Sequence, residues 1–167
     1  MLEAKYRPLD LPGVELSADL RLPTNARALV IFVHGSGSGR LSPRNQYVAD
    51  VLADRGLASL LFDLLTEPEQ RLDNLSGELR FNIPLLARRL IDVIDWVGRD
   101  RELRALRIGL FGASTGAAAA LVAARRAGRT AGGVELAALA GATRRPRRRT
   151  LRDVPRKRRL RAGPVVP

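Results

Sequence analysis

The chain is expected to fold as an α/β protein, a three-layer α/β/α arrangement around a mostly parallel sheet that is incomplete at the C-terminus. Three features carry that reading. Short continuous apolar runs at 28–33, 57–62 and 106–111 suit strands buried on both faces, amphipathic stretches lie between them, and glycine-rich turns directly follow two of the runs. The 167 residues, 46% apolar and 28% charged, are enough for one globular domain with a real core.

The elements follow in order. From Val14 to Leu22, apolar or small residues alternate with Glu15, Ser17, Asp19 and Arg21, the period expected of a half-solvated strand near a sheet edge. Pro23-Thr24-Asn25 turns the chain into Ala28 to Val33 (ALVIFV), a strand buried on both faces. That strand stops at the glycine-rich loop His34-Gly35-Ser36-Gly37-Ser38-Gly39. Ser42-Pro43 supplies an N-cap and a first-turn proline, Tyr47, Val48, Val51 and Leu52 form an apolar stripe, and Gly56 stops the helix. Leu57 to Phe62 is a second buried strand closed by Asp63, and a polar loop with Pro68 is expected to run to about Asn82. Ile83 to Gly98 is the clearest helix, with Leu86, Leu90, Val93, Ile94 and Val97 on one side. Leu106 to Phe111 is the third buried strand, and Gly112-Ala113-Ser114-Thr115-Gly116 turns sharply into an alanine-rich helix from about Thr115 to Ala127. Right-handed crossovers bring both glycine-rich loops to one edge of the sheet, where α/β sites form.

Charge divides the chain. The net +12 is absent from residues 1–124, which hold 15 basic and 15 acidic groups, and lies wholly in 125–167, with 14 basic groups against Glu135 and Asp153. Residues 1–127 therefore read as a partial core and 128–167 as a basic, disordered tail, with a poor sixth strand at best in Gly133 to Ala140. Thirteen arginines to one lysine in residues 125–167, and the abrupt end of the strand–helix pattern, suit a shifted reading frame of a GC-rich gene. The other explanation is a nucleic-acid-binding arm acting through salt-sensitive phosphate contacts, although no aromatic residue is present there for base stacking. The absence of cysteine excludes disulfides and Cys-based zinc or redox chemistry. No apolar run nears the roughly 20 residues a bilayer requires, and the first residues lack a signal peptide's apolar core; a cytoplasmic protein without membrane association is expected.

Gly112-x-Ser114-x-Gly116 between a buried strand and a helix has the form of a nucleophile elbow. Small flanking residues let the backbone kink, the serine oxygen projects above the sheet, and the helix N-terminus faces developing negative charge. The His34 to Gly39 loop lies where oxyanion donors are needed, and the backbone N–H groups of Ser36 and Thr115 are the expected pair. A plainer role exists for each residue. Ser114 suits a helix N-cap, and His34 suits a brace for its own loop rather than a makeshift base. Asp63 reads as a strand-end turn residue, Asp92 and Asp95 as exposed helix groups, and Trp96 and Phe81 as core or interface residues. The glycines at 109, 112 and 116 come too late for a dinucleotide turn, and Arg40-Leu41 replaces the Lys-Ser/Thr ending of a P-loop.

Taken together, F-V-H-G-S-G-S-G-R (Phe32 to Arg40), F-D (Phe62-Asp63) and G-L-F-G-A-S-T-G (Gly109 to Gly116) resemble the α/β-hydrolase fold, specifically its small dienelactone-hydrolase-like members, over roughly residues 10–127. The resemblance implies a hydrolase cleaving ester, thioester or lactone bonds of a small-molecule substrate. It implies Ser114 as nucleophile, Ser36 and Thr115 as oxyanion donors, and no metal or organic cofactor. One departure stands out: the family's acid and histidine follow the nucleophile, whereas here the single histidine, His34, precedes it. A serine without an adjacent base is a poor nucleophile, so an inactive form is expected. The alternative is a non-catalytic hydrolase remnant with a basic nucleic-acid-binding arm. A sheet left open at its last strand is expected to need a second copy or a partner chain over its apolar edge.

Overall fold

The computed structural model describes residues 2–127 and 137–140. Strands β1 (Lys5–Tyr6), β4 (Ala18–Arg21), β5 (Ala28–Val33), β6 (Ala58–Phe62), β7 (Arg107–Gly112) and β8 (Ala137–Ala140) make one sheet in the order β1-β4-β6-β5-β7-β8. The four strands from β6 to β8 run parallel, and β4 and β1 extend the sheet antiparallel. β2 (Leu9–Leu11) and β3 (Val14–Leu16) form a separate hairpin closed at Gly13, whose φ of +75° suits the turn. Helices α1 (Pro43–Asp54), α2 (Glu67–Ser76), α3 (Ile83–Arg99) and α4 (Thr115–Ala127) complete the layers.

The continuous apolar runs are explained by packing on two sides. Leu29, Ile31 and Val33 of β5 join the core that includes Leu86, Leu90, Val93 and Val97 of α3 and the alanines of α4. The alternate residues Val30 and Phe32 pack with Ala49, Val48 and Leu52 of α1 on the opposite face. A strand covered on both faces has no solvent side and so no alternation. The α/β/α expectation holds, and so do the predicted cores of β5, β6, β7, α3 and α4. The weak sixth strand is formed by residues 137–140, paired in parallel with β7. The tail expected to be disordered lies, apart from those four residues, outside the described residues.

Several expectations need correction. Val14 to Leu22 is not one half-solvated edge strand: it breaks at Ser17, and β4 is buried with β1 outside it. Asp19 and Arg21 are only 7% and 6% exposed because Arg40 pairs with Asp19 and Asp50 with Arg21, partners that strand periodicity cannot reveal. On α1 the buried face is turned by about one residue: Ala49 and Ala53 are buried while Tyr47 and Val51 are exposed, because small side chains bring a helix closer to the sheet. Ser42 precedes α1 without a side-chain capping bond.

The loop expected from Asp63 to Asn82 contains α2 and a 3-10 turn at Leu79–Phe81. Thr66 and Glu69 form a capping box, and Gly77, at φ +71°, ends α2. Phe81 is 62% exposed rather than core, whereas Trp96 is half-buried under the Arg7 guanidinium, 5.3 Å from its ring centre.

Candidate active site

β5 and β7 are neighbours with Val33 opposite Gly112, so the His34–Gly39 loop and the Gly112–Gly116 turn leave the sheet side by side. The turn is as tight as its small residues suggest. A side chain at Gly116 would lie 2.1 Å from the Val33 carbonyl oxygen, and one at Gly112 would lie 2.8 Å from Ala117 Cα. One at Gly35 would meet the Ala113 carbonyl at 2.9 Å and Ser114 Cβ at 3.1 Å, so the first loop lies directly against the serine. Ser114 itself has φ +53°, a left-handed conformation that a side chain disfavours. Its neighbours hold it there: Ala113 N–H donates to Val33 O, Gly116 N–H to Ala113 O, and Ala117 N–H to Ser114 O.

Two depressions meet at this junction. Ser114 and Ser36 line a groove of about 300 Å³ with Phe111, Arg44 and Asn45 along it. Ser36 and Thr115 line a smaller pocket of about 20 Å³, walled by Leu64, Leu65 and Leu86. Ser36, Ser114 and Thr115 are thus brought to one place, with the serine exposed. Thr115 begins α4, where backbone N–H groups lack helical acceptors and the helix dipole favours negative charge.

The loop is stapled at both ends. At its far end Arg40 N–H donates to Asp63 Oδ1 at 2.8 Å, and the Arg40 guanidinium bridges Asp19 and Asp63 at 2.9 and 3.1 Å. At its near end, Leu64 N–H donates to His34 Nε2, and His34 Nδ1 lies 3.0 Å from the Gly35 carbonyl. A ring nitrogen facing an N–H must accept, so these partners assign a neutral imidazole with its proton on Nδ1. Burial lowers the His34 pKa against the opposing pull of the Gly35 carbonyl and the Asp63 charge. Both nitrogens are engaged, so His34 braces its loop and offers no lone pair to Ser114. Asp63 is engaged by Arg40, and Asp92 and Asp95 lie on α3, outside the lining of the Ser114 groove.

Residues of α2 and the following turn were not anticipated. Gln70, Asp73 and Arg80 line the smaller pocket opposite Ser36. Burial pushes the Asp73 carboxyl upward, but the hydrogen bonds and charge of Arg80 outweigh it and hold the group below the usual range. Glu69 forms a paired contact with Arg89 of α3 at 2.6 and 2.7 Å, and that hydrogen bonding above all lowers its pKa to about 2. The T-x-x-E spacing of Thr66 and Glu69 was the available signal for this segment.

No family model matches the chain. Over 111 residues it is 52% identical to a Mycobacterium tuberculosis (H37Rv) protein provisionally named a phosphoribosyl transferase, a match covering 66% of this chain and 24% of that protein. The chain thus spans about a quarter of the length of the curated relatives it matches. Among solved structures, a dienelactone hydrolase from Anabaena variabilis superposes with a TM-score of 0.76 at 42% identity, over 83% of this chain and 62% of that one. An esterase from Pyrococcus furiosus gives a TM-score of 0.59 at 20% identity, over 80% and 49%, a likeness of fold alone.

Proposed function

We propose that this chain, which has an α/β-hydrolase fold, carries the nucleophile and oxyanion hole of a serine hydrolase for ester, thioester or lactone bonds. The observation that supports this most is the strained Ser114, at φ +53°, in contact with the loop that offers Ser36. In this reading Ser114 Oγ attacks a carbonyl carbon, and the carbonyl oxygen takes up negative charge beside the N–H groups of Ser36 and Thr115. An aligned donor of this kind contributes about 2.7–4 kcal/mol to transition-state stabilisation.

The hydroxyl proton needs an acceptor, and His34 is engaged on both nitrogens. No other histidine exists in the 167 residues, so a base of another kind or another origin must take that proton. With the oxyanion hole and binding alone, roughly 10³–10⁴-fold acceleration over water is expected. The same proposal includes a cytoplasmic location and a small-molecule substrate; no helix among the described residues is long and apolar enough to cross a membrane.

A fluorophosphonate probe tests this. Slow covalent labelling that Ser114→Ala abolishes is the expected result, and a folded wild-type protein that stays unlabelled after prolonged exposure overturns it. The twelve excess positive charges beyond residue 124 favour one alternative, a non-catalytic remnant with a nucleic-acid-binding arm. Its signature is oligonucleotide binding at low salt that fades as salt rises and is indifferent to Ser114→Ala.

A further inference from the structure

Arg89 is out of place by the logic of its helix. It lies on the buried side of α3 among Leu86, Ala87, Leu90 and Val93, and is only 8% exposed. A guanidinium withdrawn from water to that degree is tolerated when its N–H groups are used. Arg89 Nη1 donates to the Leu64 carbonyl at 3.0 Å and to Glu69 Oε2 at 2.7 Å, while Nη2 donates to Glu69 Oε1 at 2.6 Å. Leu64 is itself buried, and its other backbone polar group, the N–H, donates at 3.0 Å to His34 Nε2. From His34 the path continues through Nδ1 to the carbonyl of Gly35, the residue packed on Ser114 and preceding Ser36.

We propose that Arg89 is a positioning residue for the oxyanion loop, acting through Leu64 and His34. The inference rests on reading Ser36 N–H as an oxyanion donor. Leu64 is clamped from both sides, so the position of its N–H, and with it the tautomer and tilt of the His34 ring, depends on the guanidinium behind it. The ring in turn sets the Gly35 carbonyl and hence the direction of the next peptide N–H, that of Ser36. Lysine cannot replace arginine here, because one ammonium does not reach the Leu64 carbonyl and both Glu69 oxygens in a single plane. A purely structural role, in which Arg89 only ties α2 to α3, would operate through Glu69 and leave His34 untouched.

His34 is the one histidine of the chain, so its ring ¹⁵N signals report this path without ambiguity. In the wild type a single neutral tautomer with the proton on Nδ1 is expected. In Arg89→Lys and Arg89→Met the two tautomers mix, the His34 titration moves back toward its ordinary value, and Ser114 labelling slows about tenfold, less than the roughly hundredfold of a wholly misplaced group. Glu69→Gln, which loosens α2 but keeps the Leu64 bond, leaves the His34 signals in place and changes labelling less than about twofold. Unchanged His34 signals in folded Arg89→Lys, or equal changes in Glu69→Gln, overturn the proposal. Should neither Arg89 variant fold, a wild-type His34 protonated on Nε2 or mixed in tautomer overturns it, and a pure Nδ1–H form sustains the path. An unlabelled wild type refutes the hydrolase reading instead, while the ring signals still decide whether Arg89 governs His34.

Discussion

Ser114 and the glycines around it show how a few atoms define the junction. A left-handed φ costs a residue with a side chain about 1–2 kcal/mol, and here that strain is maintained by the bonds of Ala113, Gly116 and Ala117. Ser114→Gly is therefore expected to raise stability by about 0.5–1 kcal/mol in urea unfolding while abolishing probe labelling. Gly116→Ala forces a methyl to within 2.1 Å of a backbone oxygen, which cannot yield as a side chain would, and should destabilise by at least about 3 kcal/mol. Gly98→Ala is the opposite case: nothing lies within 4 Å at a helical position, and a gain of about 0.5–1 kcal/mol is expected from the same measurement. Because the folded state lowers the His34 pKa, its contribution is complete above the ordinary value of 6.5 and lost as pH falls below it. His34→Gln should flatten that acid limb of the stability curve.

At the level of elements, the segment from Leu64 to Phe81 forms one wall of the smaller pocket: Leu64 and Leu65 anchor its start in the core, and ion pairs tie down α2, which has no apolar buried face. Glu69 meets Arg89, and the buried Asp73 meets Arg80. The Glu69 carboxyl is depressed from 4.5 to about 2, so its contribution is present above pH 4.5 and lost as pH falls toward 2. Glu69→Gln is expected to reduce the slope of stability against pH in that window; an unchanged slope in urea midpoints between pH 2 and 5 would count against the pair's role. α2 escaped the periodicity argument because Asp73 is its only buried residue, so no apolar stripe exists to find. α1 was found but turned, since alanine at positions 49 and 53 gives less signal than Tyr47 or Val51 while packing more closely.

Taken whole, the molecule is a balanced body of equal opposite charges whose basic excess lies beyond residue 124. On α4, Leu121 and Val122 are 61% and 46% exposed on the helix that follows the elbow. Exposed apolar groups on that helix, beside β8 at one end of the sheet order, invite a covering surface. We expect the chain expressed alone to self-associate, or to require a partner, in sedimentation experiments at micromolar concentration. A sharp monomer peak together with cooperative thermal unfolding would contradict this. Leu121→Glu is expected to shift the distribution toward monomer, as a charge at such a face disfavours burial.

The strand runs, the strong stripe of α3, both glycine-rich turns and the elbow pattern around Ser114 were legible in the residues alone, because each depends on near neighbours: a doubly covered strand must be apolar throughout, and a tight turn must be small. Asp19, Arg21, Asp73 and Arg89 were not legible in this way. Each is charged and buried, and what makes that tolerable is a partner 7 to 29 positions away that arrives only when the chain is packed. For His34 the role of bracing its own loop was legible, but the Leu64 N–H that fixes its tautomer comes from 30 positions away and arrives only with packing. Local pattern can tell what an element must be made of; which charges it meets is a property of three-dimensional proximity.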